Sequence, residues 1–149
     1  MSHSIKKILI ATDGSSRSRK AAAFGIDLAK GLGADALAVF VVDQISACSL
    51  EECITVRTPV QTAKDILVNR GEKATVFVEN LGKTAGVEVT HLIVEGNAAD
   101  QIIKTACEQS ADLIVMGTLG TSGVKRFLIG SVAEKVIRHS PIPVVTVKK

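Results

Sequence analysis

The chain reads as an α/β domain, an open parallel sheet with helices on both faces. Five short strand-like runs, at about 5–12, 35–42, 87–94, 111–117 and 143–147, alternate with stretches of helical periodicity. Such alternation implies crossover units and a parallel sheet. A glycine-spaced segment also follows the fourth run, and the carboxyl ends of strands are where open parallel sheets keep their binding crevices. At 149 residues the chain fits one domain, 1–149. A chain of that size buries roughly 68–70% of the surface its unfolded form exposes, so no disulfide or metal is required to hold it.

Taken in order, the first run is the apolar Ile8-Leu-Ile-Ala11, closed by the turn Thr12-Asp13-Gly14. Ser15-Ser16 supply a helix cap, and helix one, about 16–32, sets Ala22, Ile26 and Ala29 on one face before Gly31 and Gly33 end it. The second run is followed by the long irregular stretch 43–59, which is either a functional lid or a mobile loop. Helix two, about 60–85, repeats Leu67, Ala74, Val78, Leu81 and Ala85 at helical spacing. Asn97 caps helix three, which is expected to bury Ile102, Ile103 and Ala106, with Cys107 joining the core at helical spacing from Ile103. The joints Gly33-Ala-Asp35 and Ser110-Ala-Asp112 look alike and read as two helix-to-strand turns. Helix four starts at Ser131, where Glu134 three residues on forms a capping-box pattern, and must stop near Ser140 because Pro141 and Pro143 follow.

Composition narrows the function. Trp and Tyr are absent and Phe occurs four times, so the core is aliphatic and stacking platforms for single-stranded nucleic acid are missing. The net charge of +3 is too small to imply a nucleic-acid partner, and the one suggestive basic cluster is Lys125-Arg126. Cys48, Cys53 and Cys107 are odd in number and lack Cys-x-x-Cys spacing, and His3, His91 and His139 are scattered, so a reduced cytoplasm is the expected setting. The polar N-terminus lacks an apolar signal core, and no uninterrupted apolar stretch approaches the length of a membrane span, so export and membrane insertion are not expected.

The chemistry concentrates between Gly117 and Ser131. Gly117, Gly120 and Gly130 bracket Lys125-Arg126 and lead into a helix start. Glycines let backbone N–H groups approach phosphate oxygens, and a helix N-terminus adds unpaired donors and a positive dipole end. The segment reads as a phosphate cradle, yet it contains neither Gly-Lys-Ser/Thr nor a compressed dinucleotide-type glycine cluster. Asp13, at the end of the first strand, has two roles open to it, as a ligand contact or as the turn former before Gly14. Ser131 serves equally as a cap and as an anion contact. Lys125 and Arg126 either screen phosphate charge or form solvated surface.

The spacing Gly117-x2-Gly120-x9-Gly130-Ser131 resembles that of the universal stress protein family in its ATP-binding branch. The likeness extends to Ile8–Ser15, to Val39–Asp43 and to the closing segment from Gly130 through Val145, nearly the whole chain. It implies a Rossmann-like five-stranded sheet in the order 3-2-1-4-5, which brings Thr12-Asp13-Gly14 and the Gly117–Ser131 segment together between strands one and four. It further implies that Ala11, Thr12, Asp13, Val41, Met116, Gly117, Gly120, Gly130, Ser131, Val132 and Ala133 bind ATP. Val41 would offer backbone groups to the adenine, and Val132 and Ala133 would offer N–H groups to phosphate. Mg²⁺ or Mn²⁺ would be carried by the ATP phosphates. Leu119 departs from the polar or basic residue common in similar loops, which removes one side-chain phosphate contact. A homodimer through the last strand, at Val144, Val145 and Val147, is also implied.

The expected function is a nucleotide-dependent stress-response or signalling module with little or no hydrolysis. The alternatives are a slow ATPase or other ATP-using enzyme, and a dimeric scaffold that binds no nucleotide. No general base accompanies the glycines, and the Ser-Gly-Gly-x-Asp-Ser loop of ATP pyrophosphatases is missing. The acidic pair of a response-regulator receiver is missing as well.

Overall fold

The computed structural model describes residues 4–43, 60–118 and 129–148. Leu119, Gly120, Lys125, Arg126, Cys48, Cys53 and all but the first residue of the 43–59 stretch lie outside them. Five strands alternate with helices: β1 Lys7–Ala11, α1 Ser16–Leu32, β2 Asp35–Val42, α2 Val60–Ala85, β3 Val89–Glu95, α3 Ala98–Glu108, β4 Leu113–Gly117, α4 Ser131–His139 and β5 Val144–Val147. All four strand pairs are parallel and the order is β3-β2-β1-β4-β5, as the resemblance implied.

Strand parity sorts the core into two layers. Ile8, Ile10, Ala36, Ala38, Leu113 and Val115 pack against Ala22, Ile26 and Ala29 of α1 and Val78 of α2. Leu9, Ala11, Leu37, Val39, Ile114 and Met116 face the other way, onto Ala99, Ile102 and Ala106 of α3 and Ala133 and Val136 of α4. The helices after β1 and β2 therefore cover one face and those after β3 and β4 the other. Neighbouring strands β1 and β4 send their connections to opposite faces, so a crevice opens between their carboxyl ends. Aliphatic packing suffices because α1 presents small residues: Gly25 comes so close to Ile10 that a Cβ would lie 2.9 Å from its Cδ1.

The helix ends explain the two look-alike joints. Gly33, at φ 66°, closes α1, and the Ala34 N–H returns to Ala29 O at 2.9 Å. Ser110 holds the same left-handed conformation, φ 55°, after α3, with the Ala111 N–H on Ala106 O at 2.9 Å. Both are helix stops of Schellman type, one built on glycine and one without it.

Two expectations are corrected. Cys107 is exposed, because the buried stripe of α3 runs through Ala99, Ile102 and Ala106 and leaves Ile103 and Cys107 on its flank. The capping box at Ser131 does not form: Gly130 is the N-cap residue, and Glu134 instead pairs with Arg138 at 2.9 Å. No helix among the described residues is long and apolar enough to cross a membrane.

Candidate functional site

The crevice is assembled from three strand ends and one helix start. After Ala11 the chain turns at Thr12-Asp13-Gly14, where Gly14 has φ +82°, a conformation that favours glycine. The turn is wired internally. The buried Thr12 Oγ1 lies 3.1 Å from Ser18 Oγ and accepts the Gly14 N–H at 3.3 Å. Asp13 Oδ1 accepts the Ser15 N–H at 2.9 Å, and Ser15 Oγ caps α1 by accepting the Ser18 N–H at 3.2 Å. Asp13 therefore forms the turn and faces the crevice as well.

β2 outruns its neighbour. Ala11, the last residue of β1, is in register with Val39, while β2 continues to Val42. Among the described residues the last rung between them is the Thr12 N–H on Val39 O, at 3.0 Å. Backbone direction alternates along a strand, and Val42 O accepts from Gly96 on the β3 side at 3.0 Å. The N–H and C=O of Val41 thus point the same way as those of Val39, past the end of β1 and into the crevice.

On the far side, Met116 and Gly117 end β4. The Thr118 N–H donates to Val147 O at 3.2 Å, and Thr118 O accepts the Gly130 N–H, so the chain leaves and re-enters the sheet end at one point. The Gly130 N–H is engaged in that stem, and its backbone, at φ −78° and ψ 164°, is extended. The donors left for an anion are the N–H groups of Ser131, Val132 and Ala133, which begin α4 and have no acceptor within the helix. Lys135 Nζ ties α4 to the start of α3, lying 3.0 Å from Asp100 Oδ1 and 3.4 Å from Asn97 Oδ1.

Ten of the eleven residues expected from sequence line this single crevice: Ala11, Thr12, Asp13, Val41, Met116, Gly117, Gly130, Ser131, Val132 and Ala133. Gly120 lies outside the described residues. Ser18, Val39, Asp43, Ala98, Ile102 and Thr118 line it too and were not expected. Val39 shares the parity of Val41 and Asp43 sits at a strand end, so both carried a signal; Ala98 and Ile102 arrive by helix packing and carried none. The lining is apolar at the floor and has two carboxylates, Asp13 and Asp43, on the β1 and β2 side. Among the described residues no group of three or more His, Cys, Asp or Glu side chains is placed to hold a metal ion.

The sequence profile of the universal stress protein family matches residues 4–148. Universal stress protein MJ0531 of Methanocaldococcus jannaschii is 38% identical over 144 residues, covering 97% of this chain and 82% of its own length. Among solved structures, hypothetical protein MJ0577 superposes with a TM-score of 0.77 at 29% identity, covering 99% of this chain and 98% of its own. Two more distant structures share the fold. One is a universal stress protein in complex with cAMP, TM-score 0.68 at 22% identity, covering 98% of each chain. The other is the Archaeoglobus fulgidus universal stress protein in complex with dAMP, TM-score 0.69 at 20% identity, covering 97% of this chain and 98% of its own.

Proposed function

The chain belongs to the universal stress protein family, and on that footing we propose that it is an ATP-binding module acting in a nucleotide-dependent stress response or signalling step. The carrying observation is that one crevice joins an apolar floor, an unfinished sheet edge at Val41 and the open N-terminus of α4. A base belongs on the floor between Ala11, Val39, Val41 and Met116, with the Val41 peptide groups on its edge. The ribose lies beside Asp13. Phosphate oxygens take the N–H groups of Ser131, Val132 and Ala133. The cAMP and dAMP complexes of proteins with this fold are in keeping with an adenine nucleotide. Mg²⁺ or Mn²⁺ would travel on the phosphates, since among the described residues no group of three or more His, Cys, Asp or Glu side chains is placed to hold a metal ion. Turnover is slow on this reading, because Asp43 lies on the base side, Asp13 lies beside the ribose, and no lining side chain among the described residues is suited to activate water at the γ-phosphate.

Calorimetry tests the proposal. ATP should bind with one site per chain, and Gly130→Val, whose backbone conformation any residue adopts, should remain folded and lose most of the affinity. Unchanged binding in that variant removes the α4 entrance from the site. Phosphate release in single turnover should fall far below the order of 1 s⁻¹ of ordinary enzymes; a rate at or above it favours the ATPase reading.

The assembly we propose is a homodimer through β5. Val144, Val145 and Val147 are half-buried on an edge strand. Exposed Phe24 and Leu32 lie on the flank of α1 away from Arg19, which stacks on Phe77 of α2. Exposed Ile137 lies on the flank of α4 away from α3. An apolar rim on both sides of an open edge suits closed two-fold pairing. Sedimentation should give a dimer at micromolar concentration.

A further inference from the structure

Asp43 follows the last residue of β2 and lines the crevice, half-buried. Val39, Val41 and Asp43 alternate onto the face that carries α3 and α4. The peptide just before Asp43 is fixed, because Val42 O holds the Gly96 N–H at 3.0 Å. Across β1, two strand spacings of about 4.8 Å each separate β2 from the phosphate side at β4. A nucleotide anchored by its phosphates at α4 therefore brings its ring system, and not its ribose, to the end of β2. Asp13, in the turn that follows the intervening strand, is the carboxylate at ribose depth, and its Oδ1 already takes the Ser15 N–H at 2.9 Å.

Resting on the reading of this crevice as an adenine-nucleotide site, we infer that Asp43 is a specificity-determining residue that selects a 6-amino purine over a 6-oxo purine. An ionised carboxylate only accepts hydrogen bonds. The Val41 C=O and the Asp43 carboxylate each take one proton of the exocyclic amine, while the Val41 N–H donates to ring nitrogen N1. A 6-oxo purine reverses both positions. Its carbonyl oxygen meets two acceptors, and its N1–H meets the Val41 N–H. Mismatched acceptors and donors in a partly buried crevice lose their solvation without gaining a bond.

The test is calorimetry with ATP and with inosine triphosphate, which differ in the base at C6 and N1. The wild type should favour ATP by about ten- to hundredfold, the worth of a hydrogen bond to a charged group. Asp43→Asn, whose amide donates as well as accepts, should shrink that ratio by about tenfold, in part by tightening inosine triphosphate. Asp43→Ala should shrink it as well, by weakening ATP and by removing one of the two acceptors that oppose the 6-oxo oxygen. Circular dichroism establishes that each variant is folded; should one fail, the other decides. Equal affinity of the wild type for the two nucleotides, or an unchanged ratio in a folded variant, overturns the role of Asp43 and leaves the ATP site standing. Absence of ATP binding by the wild type overturns the site itself and the inference with it.

Discussion

Thr12→Val probes the turn that presents Asp13 to the crevice. The substitution keeps shape and removes one hydroxyl. Two contacts go: the 3.1 Å bond between Thr12 Oγ1 and Ser18 Oγ, and the longer 3.3 Å acceptance of the Gly14 N–H. Ser18 Oγ keeps its donation to Ser15 O at 2.9 Å, so it is not left without a partner. The loss therefore falls in the lower part of the range for removing one member of a buried pair, about 1–2 kcal/mol. For 149 residues that corresponds to a fall in Tm of about 3–6 °C. Thermal unfolding of Thr12→Val, Ser18→Ala and the double variant forms a cycle in which the pair should couple by about 1 kcal/mol. Because the same turn holds Asp13, ATP affinity should fall as well. A Tm within about 1 °C of wild type, or strictly additive single variants, refutes the claim that these hydroxyls organise the site entrance.

Gly25→Ala should destabilise although alanine favours helix by about 1 kcal/mol. Its Cβ would sit 2.9 Å from Ile10 Cδ1 and Cγ1 and 3.4 Å from Val115 Cγ1, and such overpacking costs about 1–3 kcal/mol; a raised urea midpoint contradicts this. The N–H groups of Lys6 and Lys7 donate to Asp112 Oδ2 at 2.8 and 3.0 Å and hold its carboxyl below the usual range. A folded-state value under the unfolded one stabilises above the ordinary carboxylate range, and that stabilisation is lost as pH falls through the folded value. Asp112→Asn should therefore lower the urea midpoint at neutral pH and leave it unchanged in strong acid. Thr146→Pro should dissociate the dimer without unfolding the chain. The bonds from Ile114 N–H to Pro143 O and from Thr118 N–H to Val147 O show that odd-numbered residues of β5 face β4, so the Thr146 N–H faces outward. A dimer indifferent to that proline excludes β5 as the contact.

What could be read from sequence depended on how local its cause was. Ile8–Ala11 and Leu113–Met116 are apolar runs because a parallel strand is buried on both faces, so their position was legible. The order of the strands has no local signature and came through the family resemblance. Cys107 was misplaced because Ile103 is itself on the flank of α3, and helical spacing from a half-buried residue carries no information about the core. Ser131 and Glu134 have the spacing of a capping box. The stem bond between Thr118 and Gly130 makes Gly130 the cap residue, a constraint that arises in the loop's return to the sheet. Of the crevice lining, Ala11, Thr12, Val41, Met116, Val132 and Ala133 came through the family resemblance, while Asp13, Gly117, Gly130 and Ser131 were legible because they punctuate strand ends and a helix start. Ala98 and Ile102 were not, because what places them is α3 packing over the crevice.

The central claim is that an adenine nucleotide lies between the overhang of β2 and the start of α4. Titration of ATP into isotopically labelled protein, followed by backbone amide chemical shifts, tests it most directly. Saturable shifts are expected at Asp13, Val41, Asp43 and Ser131–Ala133, with α2 and the β3 edge unmoved. Shifts confined to other surfaces, or none at millimolar ATP, would contradict it.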